Sequence, residues 1–260
     1  MNGHKAKKSF GQNFLVDQTI IADIVRCIRP EADDNMVEIG PGLGALTRPL
    51  LQHLHTLHVV EIDRDIIARL KTDYPQDTIV IHEGDALKFD FATLAAPLRI
   101  VGNLPYNISS PLLFHFAAYA ARITDMHFML QNEVVERMVA APSTPQYGRL
   151  SVMLQYRFEM EKLLDVPPQS FRPSPKVDSA IVRMIPLPAD RIRVRNEALF
   201  AQVVAGAFGQ RRKTLRNTLK SWLMEADFAE LEISPQLRAE NLGVAEFTRI
   251  ANFVNERVVG

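Results

Sequence analysis

Four short stretches of small and polar residues are spaced so that they could converge on one ligand. They are Gly40-Pro41-Gly42-Leu43-Gly44, Glu61-Ile62-Asp63, Gly84-Asp85-Ala86 and Asn103-Leu104-Pro105-Tyr106. The glycines allow a tight turn and a close backbone approach to a ligand, with a helix N-terminus just beyond. A carboxylate about twenty residues further on suits a ribose diol, because it accepts both hydroxyl hydrogens. Glu61 holds that place, whereas Asp63 is better suited to cap the next helix. Asp85 reads equally well as an acceptor for the exocyclic amine of a bound adenine or as a helix cap. So far a dinucleotide would also fit, since Gly40 to Ala45 matches the permissive dinucleotide fingerprint. Asn103-Leu104-Pro105-Tyr106 speaks against it, because hydride transfer gives no reason for such a tetrapeptide there.

These stretches converge only if they lie along one edge of a sheet. From residue 35 to about 130, short β-branched runs alternate with helix-patterned segments, the signature of βαβ units and a parallel sheet. The pattern predicts strands at Met36 to Ile39, Leu57 to Ile62, Thr78 to His82 and Arg99 to Val101. A fifth is expected at Met126 to Leu130, and a later strand of the same sheet at Val177 to Ile185. Each of the four stretches then follows a strand, and in an open α/β sheet ligands bind beyond the strands' carboxyl ends. Asp17 caps a helix running towards Arg29, with Pro30 as its stop. Pro186 and Pro188 mark a boundary, after which the pattern is wholly helical. The expected division is therefore a ligand-binding domain over residues 1–188 and a small helical domain over 189–260.

Composition narrows the class. The 260 residues are 47% hydrophobic and 23% charged, which fits a folded α/β protein with a sizeable core and excludes disorder. No apolar run approaches a membrane span and the basic N-terminus has no signal-like apolar stretch, so a cytoplasmic location without membrane attachment is expected. Cys27, the only cysteine, reads as a small core hydrophobe, and His53, His55 and His58 read as structural, so no metal is expected. The formal net charge of zero conceals segregation. Basic residues gather at His4 to Lys8, at Arg191, Arg193 and Arg195, and at Arg211, Arg212, Lys213, Arg216 and Lys220, with Glu225, Asp227, Glu230 and Glu232 following directly. Nothing demands more than a monomer.

Asn103-Leu104-Pro105-Tyr106 resembles the Asn/Asp-Pro-Pro-Tyr motif of methyltransferases acting on exocyclic amines of nucleic-acid bases, with leucine replacing the first proline. Phe10 to Leu15, Val37 to Gly42 and Phe171 to Ser179 narrow the resemblance to the ribosomal RNA adenine dimethyltransferase family, across nearly the whole chain. The helical segment Phe208 to Asn217 is similar to its bacterial small-subunit branch.

That resemblance implies a Rossmann-like class I methyltransferase fold, a mostly parallel seven-stranded sheet flanked by helices, with S-adenosylmethionine as cofactor. It places Asn13 and Leu15 at the methionine end, Gly40 and Gly42 along the cofactor's backbone, Glu61 on the ribose and Asp85 on the adenine. Asn103 lies between cofactor and substrate. The Asn103 amide oxygen and the Leu104 carbonyl would hold the amine hydrogens, and Tyr106 and Phe171 would stack on the two faces of the base. The prolines around Phe171 place it in an irregular surface segment. The implied substrate is a pair of adjacent adenosines in the 3′-terminal hairpin of small-subunit (16S) rRNA, within the small-subunit (30S) particle, each dimethylated at N6. Arg211, Arg212, Lys213 and Arg216 are expected to contact the RNA backbone. Three rivals are a large-subunit (23S) adenine methylase of the antibiotic-resistance type, a non-catalytic assembly factor and a nicotinamide enzyme.

Overall fold

A computed structural model describes residues 13–105, 108–191 and 193–259. It opens with a two-residue strand β1 (Phe14–Leu15) and helix α1 (Gln18–Ile28). Asp17 caps α1, its Oδ1 accepting the Thr19 and Ile20 backbone N–H groups at 3.0 and 3.3 Å. Ile21, Ile24, Val25 and Ile28 form the buried stripe that docks α1. Arg29 ends the helix in the left-handed region, donating its N–H to the Val25 carbonyl, and Pro30 forbids continuation.

The alternating segment follows as β2 (Met36–Ile39), α2 (Thr47–Leu50), β3 (Leu57–Glu61), α3 (Arg64–Asp73), β4 (Ile79–Glu83), β5 (Leu98–Asn103), α4 (Ser109–Ala117) and β6 (Ile123–Gln131). Then come α5 (Asn132–Val139), α6 (Arg149–Gln155), β7 (Phe158–Val166), β8 (Phe171–Arg172) and β9 (Ser179–Pro186). The seven-stranded sheet has the order β4-β3-β2-β5-β6-β9-β7. Its first five strands are parallel and β9 runs antiparallel to β6. β2 is buried at every residue, as a central strand covered on both faces must be. The chain leaves β2 for β3 on one side and reaches β5 on the other, which opens a crevice at the switch point. β7 was not anticipated by the sequence pattern, and neither was the ribbon that pairs β1 antiparallel with β8.

The chain divides into two compact units. One holds the chain up to Val135 together with Met160–Pro186, and the other Glu136–Glu159 together with everything from Leu187 onward. The helical unit therefore takes in α6 and residues 136–159, which the division at residue 188 had assigned to the first domain. Its later helices are α7 (Glu197–Phe208), α8 (Leu215–Thr218), α9 (Glu225–Glu230) and α10 (Val244–Val259). Val152 and Tyr156 share one core with Phe200, Val203, Leu215 and Phe247, so α6 supplies apolar surface that α7 to α10 need. No helix among the described residues is long and apolar enough to cross a membrane.

Candidate active site

The carboxyl ends of β2, β3, β4 and β5 open onto a cavity of about 380 Å³. Eight residues singled out from sequence line it: Asn13, Leu15, Gly40, Gly42, Glu61, Asp85, Asn103 and Leu104. Gly40 and Gly42 adopt φ of 65° and 55°, which explains glycine at both. A Cβ built on Gly40 would meet no atom within 4 Å, so a ligand can come directly against this backbone. At Gly42 the Phe14 ring lies 3.5 Å from that position and forms a wall beside the turn. Gly102 has a different reason: a Cβ there would sit 2.6 Å from the Ile39 carbonyl oxygen, so only glycine lets β5 lie against β2 just before Asn103.

Three carboxylates line the cavity, Glu38, Glu61 and Asp85. Glu61 is buried at the end of β3, and its Oε1 accepts the Ile62 and Asp63 N–H groups, both at 2.8 Å. Burial pushes its carboxyl above the ordinary value, opposed by those backbone N–H groups. Glu38, on β2, is also buried and accepts from the Thr47 hydroxyl at 2.7 Å. Burial raises it to about 7, with the neighbouring Glu61 charge adding to the rise. Sequence reasoning treated Glu38 only as part of a motif; the visible signal was a lone acid inside an otherwise apolar central strand. Asp63 caps α3 through the Asp65 N–H at 3.0 Å. Asp85 accepts the Leu87 N–H at 3.0 Å while lining the cavity, so both of its readings have a structural counterpart.

Asn103 ends β5. Its Nδ2 donates to the Asn13 carbonyl at 3.3 Å, which assigns Oδ1 as the accepting end of the amide. The next residue, Leu104, buries its side chain and donates its N–H to Met129 at 3.2 Å, fixing the backbone that carries the neighbouring carbonyl. Tyr106 lies outside the described residues.

Phe171 departs from expectation. It is 1% exposed and packs in the core cluster that contains Leu15, Met129, Val166 and Ile181. Pairing Leu15 with Phe171 across the β1–β8 ribbon carries both side chains into this cluster. A ring so enclosed has no face to offer a base, and the surface placement inferred from the surrounding prolines is corrected accordingly. Its structural role is to hold up the segment bearing Asn13 and Leu15.

In the helical unit, Arg211, Arg212 and Lys213 occupy the exposed turn after α7, and Arg216 lies on α8. Arg211 is 3.4 Å from Glu240 and donates to the Pro145 carbonyl at 2.6 Å, and Arg216 pairs with Glu225. Among the described residues no ion pair is found for Arg212 or Lys213.

Comparison with known proteins points the same way. The model of the family described as ribosomal RNA adenine dimethylase matches residues 3–256. A ribosomal RNA small subunit methyltransferase A from Aromatoleum aromaticum is 64% identical over 98% of this chain and 96% of its own length. One of the same name from Chromobacterium violaceum is 61% identical over 99% of this chain and 98% of its own. Among solved structures, a dimethyladenosine transferase from Plasmodium falciparum superposes with a TM-score of 0.81 at 26% identity, covering 94% of this chain and 98% of that one. The 23S rRNA methyltransferase ErmE gives 0.71 at 26% identity, covering 94% of this chain and all (100%) of its own. A class I methyltransferase sheet, a cavity at its switch point and a match over almost the full length agree: the chain belongs to the ribosomal RNA adenine dimethylase family.

Proposed function

We propose that this enzyme uses S-adenosylmethionine to dimethylate the N6 amines of two adjacent adenosines in the 3′-terminal hairpin of small-subunit rRNA, acting in assembly of that subunit. The observation that carries the reading is Asn103 at the rim of a cavity that also holds Gly40, Glu61 and Asp85. The cavity fits the cofactor: an open cradle over Gly40 admits a close-lying chain, and the Glu61 carboxylate, fixed by two backbone N–H groups, suits a ribose diol. Asn13 and Leu15 would line the methionine end, Gly40 and Gly42 the middle, and Asp85 the adenine.

When bound, S-adenosylmethionine supplies an electrophilic methyl group. What the chain supplies is orientation. An adenine amine is a poor nucleophile because its lone pair is delocalised into the ring, so acceptors that hold its hydrogens and turn the lone pair outward lower the barrier. Asn103 Oδ1 and the Leu104 carbonyl are those acceptors. A neutral amide aligns the amine without clamping the cation that transfer would create, and the surplus proton leaves to water.

The small-subunit target is favoured over the large-subunit one by the relatives at 64% and 61% identity, against 26% for the large-subunit enzyme. Calorimetry with S-adenosylmethionine and NAD tests the cofactor, with binding of NAD alone rejecting it. Mass spectrometry of rRNA from cells with and without the gene tests the target. Loss of dimethyladenosine from small-subunit rRNA is expected, and an unchanged content would reject it.

A further inference from the structure

Among the described residues that line the cavity at the carboxyl ends of the strands, Phe14 is the only aromatic one. The β1–β8 ribbon decides where its ring goes. Leu15 and its partner Phe171 are buried in the core cluster, and successive side chains of a strand point to opposite sides, so Phe14 is turned away from that core. It is half-buried, and its ring carbons Cδ1 and Cε1 both lie 3.5 Å from where a Cβ on Gly42 would stand. The preceding residue, Asn13, accepts from Asn103 Nδ2 at 3.3 Å. The ring therefore reaches the glycine turn from the segment that Asn103 grips, in the part of the cavity where Asn103 would orient the amine.

S-adenosylmethionine carries a positively charged sulfur, and the product S-adenosylhomocysteine a neutral one. Asn103 has no charge with which to tell them apart. The nearby carboxylates are engaged: Glu61 holds two backbone N–H groups and Glu38 accepts from the Thr47 hydroxyl. A carboxylate set directly against the sulfur would also stabilise the reactant's charge and oppose its transfer to the amine nitrogen. An aromatic ring attracts a cation through its quadrupole while bearing no net charge, and does so more strongly where water is excluded. We propose, on the reading of this cavity as an S-adenosylmethionine site, that the Phe14 ring packs against the sulfonium and makes the cavity prefer the charged methyl donor to the neutral product. Phe14 then has a task beyond walling the turn, which a leucine could fill. Once the methyl group has left, the sulfur is neutral and the attraction lapses, which favours release of the spent cofactor.

The test is calorimetry of the full chain with S-adenosylmethionine and with S-adenosylhomocysteine. The proteins are the parent, Phe14→Leu, Phe14→Tyr and one carrying a ring-fluorinated phenylalanine at position 14, which keeps the shape of the ring and weakens its quadrupole. Phe14→Leu and the fluorinated protein are expected to lose roughly three- to tenfold in affinity for S-adenosylmethionine while S-adenosylhomocysteine stays within about twofold, and Phe14→Tyr to keep the parent's preference. The retained affinity for the neutral product shows that the cavity has kept its shape. Equal losses for both molecules, or no loss for either, would overturn the proposal and leave Phe14 as packing for the turn. Those results leave the cofactor reading standing, because the parent still binds. A parent protein that binds neither molecule would overturn that reading, and this proposal with it.

Discussion

At the scale of single residues, position within the strand decides what each polar group can do. Glu38 is the clearest case, because the same burial that places it in the cavity wall raises its carboxyl from 4.5 to about 7. A carboxyl with a raised folded-state value contributes its stability fully below its unfolded value, and loses it as pH climbs through the folded one. Between pH 4.5 and 7 the folded protein should therefore lose roughly 3 kcal/mol through this group. Glu38→Gln keeps the acceptor for Thr47 without the charge, and should flatten that part of the pH dependence by roughly 1–3 kcal/mol. Denaturant titrations at pH 5 and pH 8 would show it, and identical slopes for the two proteins would refute it. Asn103 works through orientation instead of charge. Asn103→Ala should bind cofactor and RNA within a few-fold of the parent but lose about 10²–10³ in turnover, the usual cost of one preorganised polar group. A single-turnover methyl-transfer assay beside calorimetry separates the two effects.

At the scale of elements, the sheet was largely legible and its attachments were not. Each of the six anticipated strands overlaps an observed one, because parallel strands covered on both faces read as dense β-branched runs such as Met36–Ile39. β7 escaped because Phe158–Val166 carries Glu159, Glu161, Lys162 and two leucines, a composition with good helix propensity, at the end of the sheet order. The β1–β8 ribbon is two residues long on each side, too short for any periodicity to register. That omission explains the misplaced Phe171, since prolines indicate irregular backbone but do not say which way a flanking ring turns. The residues after four strands converged as anticipated, because their position follows from topology alone. If Phe171 supports the ribbon, Phe171→Ala should cost about 3–5 kcal/mol of stability, as for other buried rings. Thermal and denaturant unfolding would measure this, and an intact stability with lost RNA affinity would restore a base-stacking role.

For the whole molecule, a net charge of zero conceals a segregation of charge along the chain. Residues 136–159 were invisible as part of the helical unit because units are defined by shared core, and Tyr156 meets Phe200 only in three dimensions, with ring centroids 4.8 Å apart. Within that unit Arg212 and Lys213 are exposed cations for which no ion pair is found among the described residues. Changing both to glutamate should weaken RNA binding and reduce the salt dependence of log K by about 1–2, one phosphate contact each. Filter binding across a salt series reads this directly, and an unchanged slope would move the RNA contact elsewhere. The central claim is tested most directly by offering the purified enzyme, with methyl-labelled S-adenosylmethionine, each ribosomal subunit from cells lacking the gene. Label should enter small-subunit rRNA as N6,N6-dimethyladenosine at two adjacent positions near its 3′ end; label confined to large-subunit rRNA, or none in either, would contradict the account.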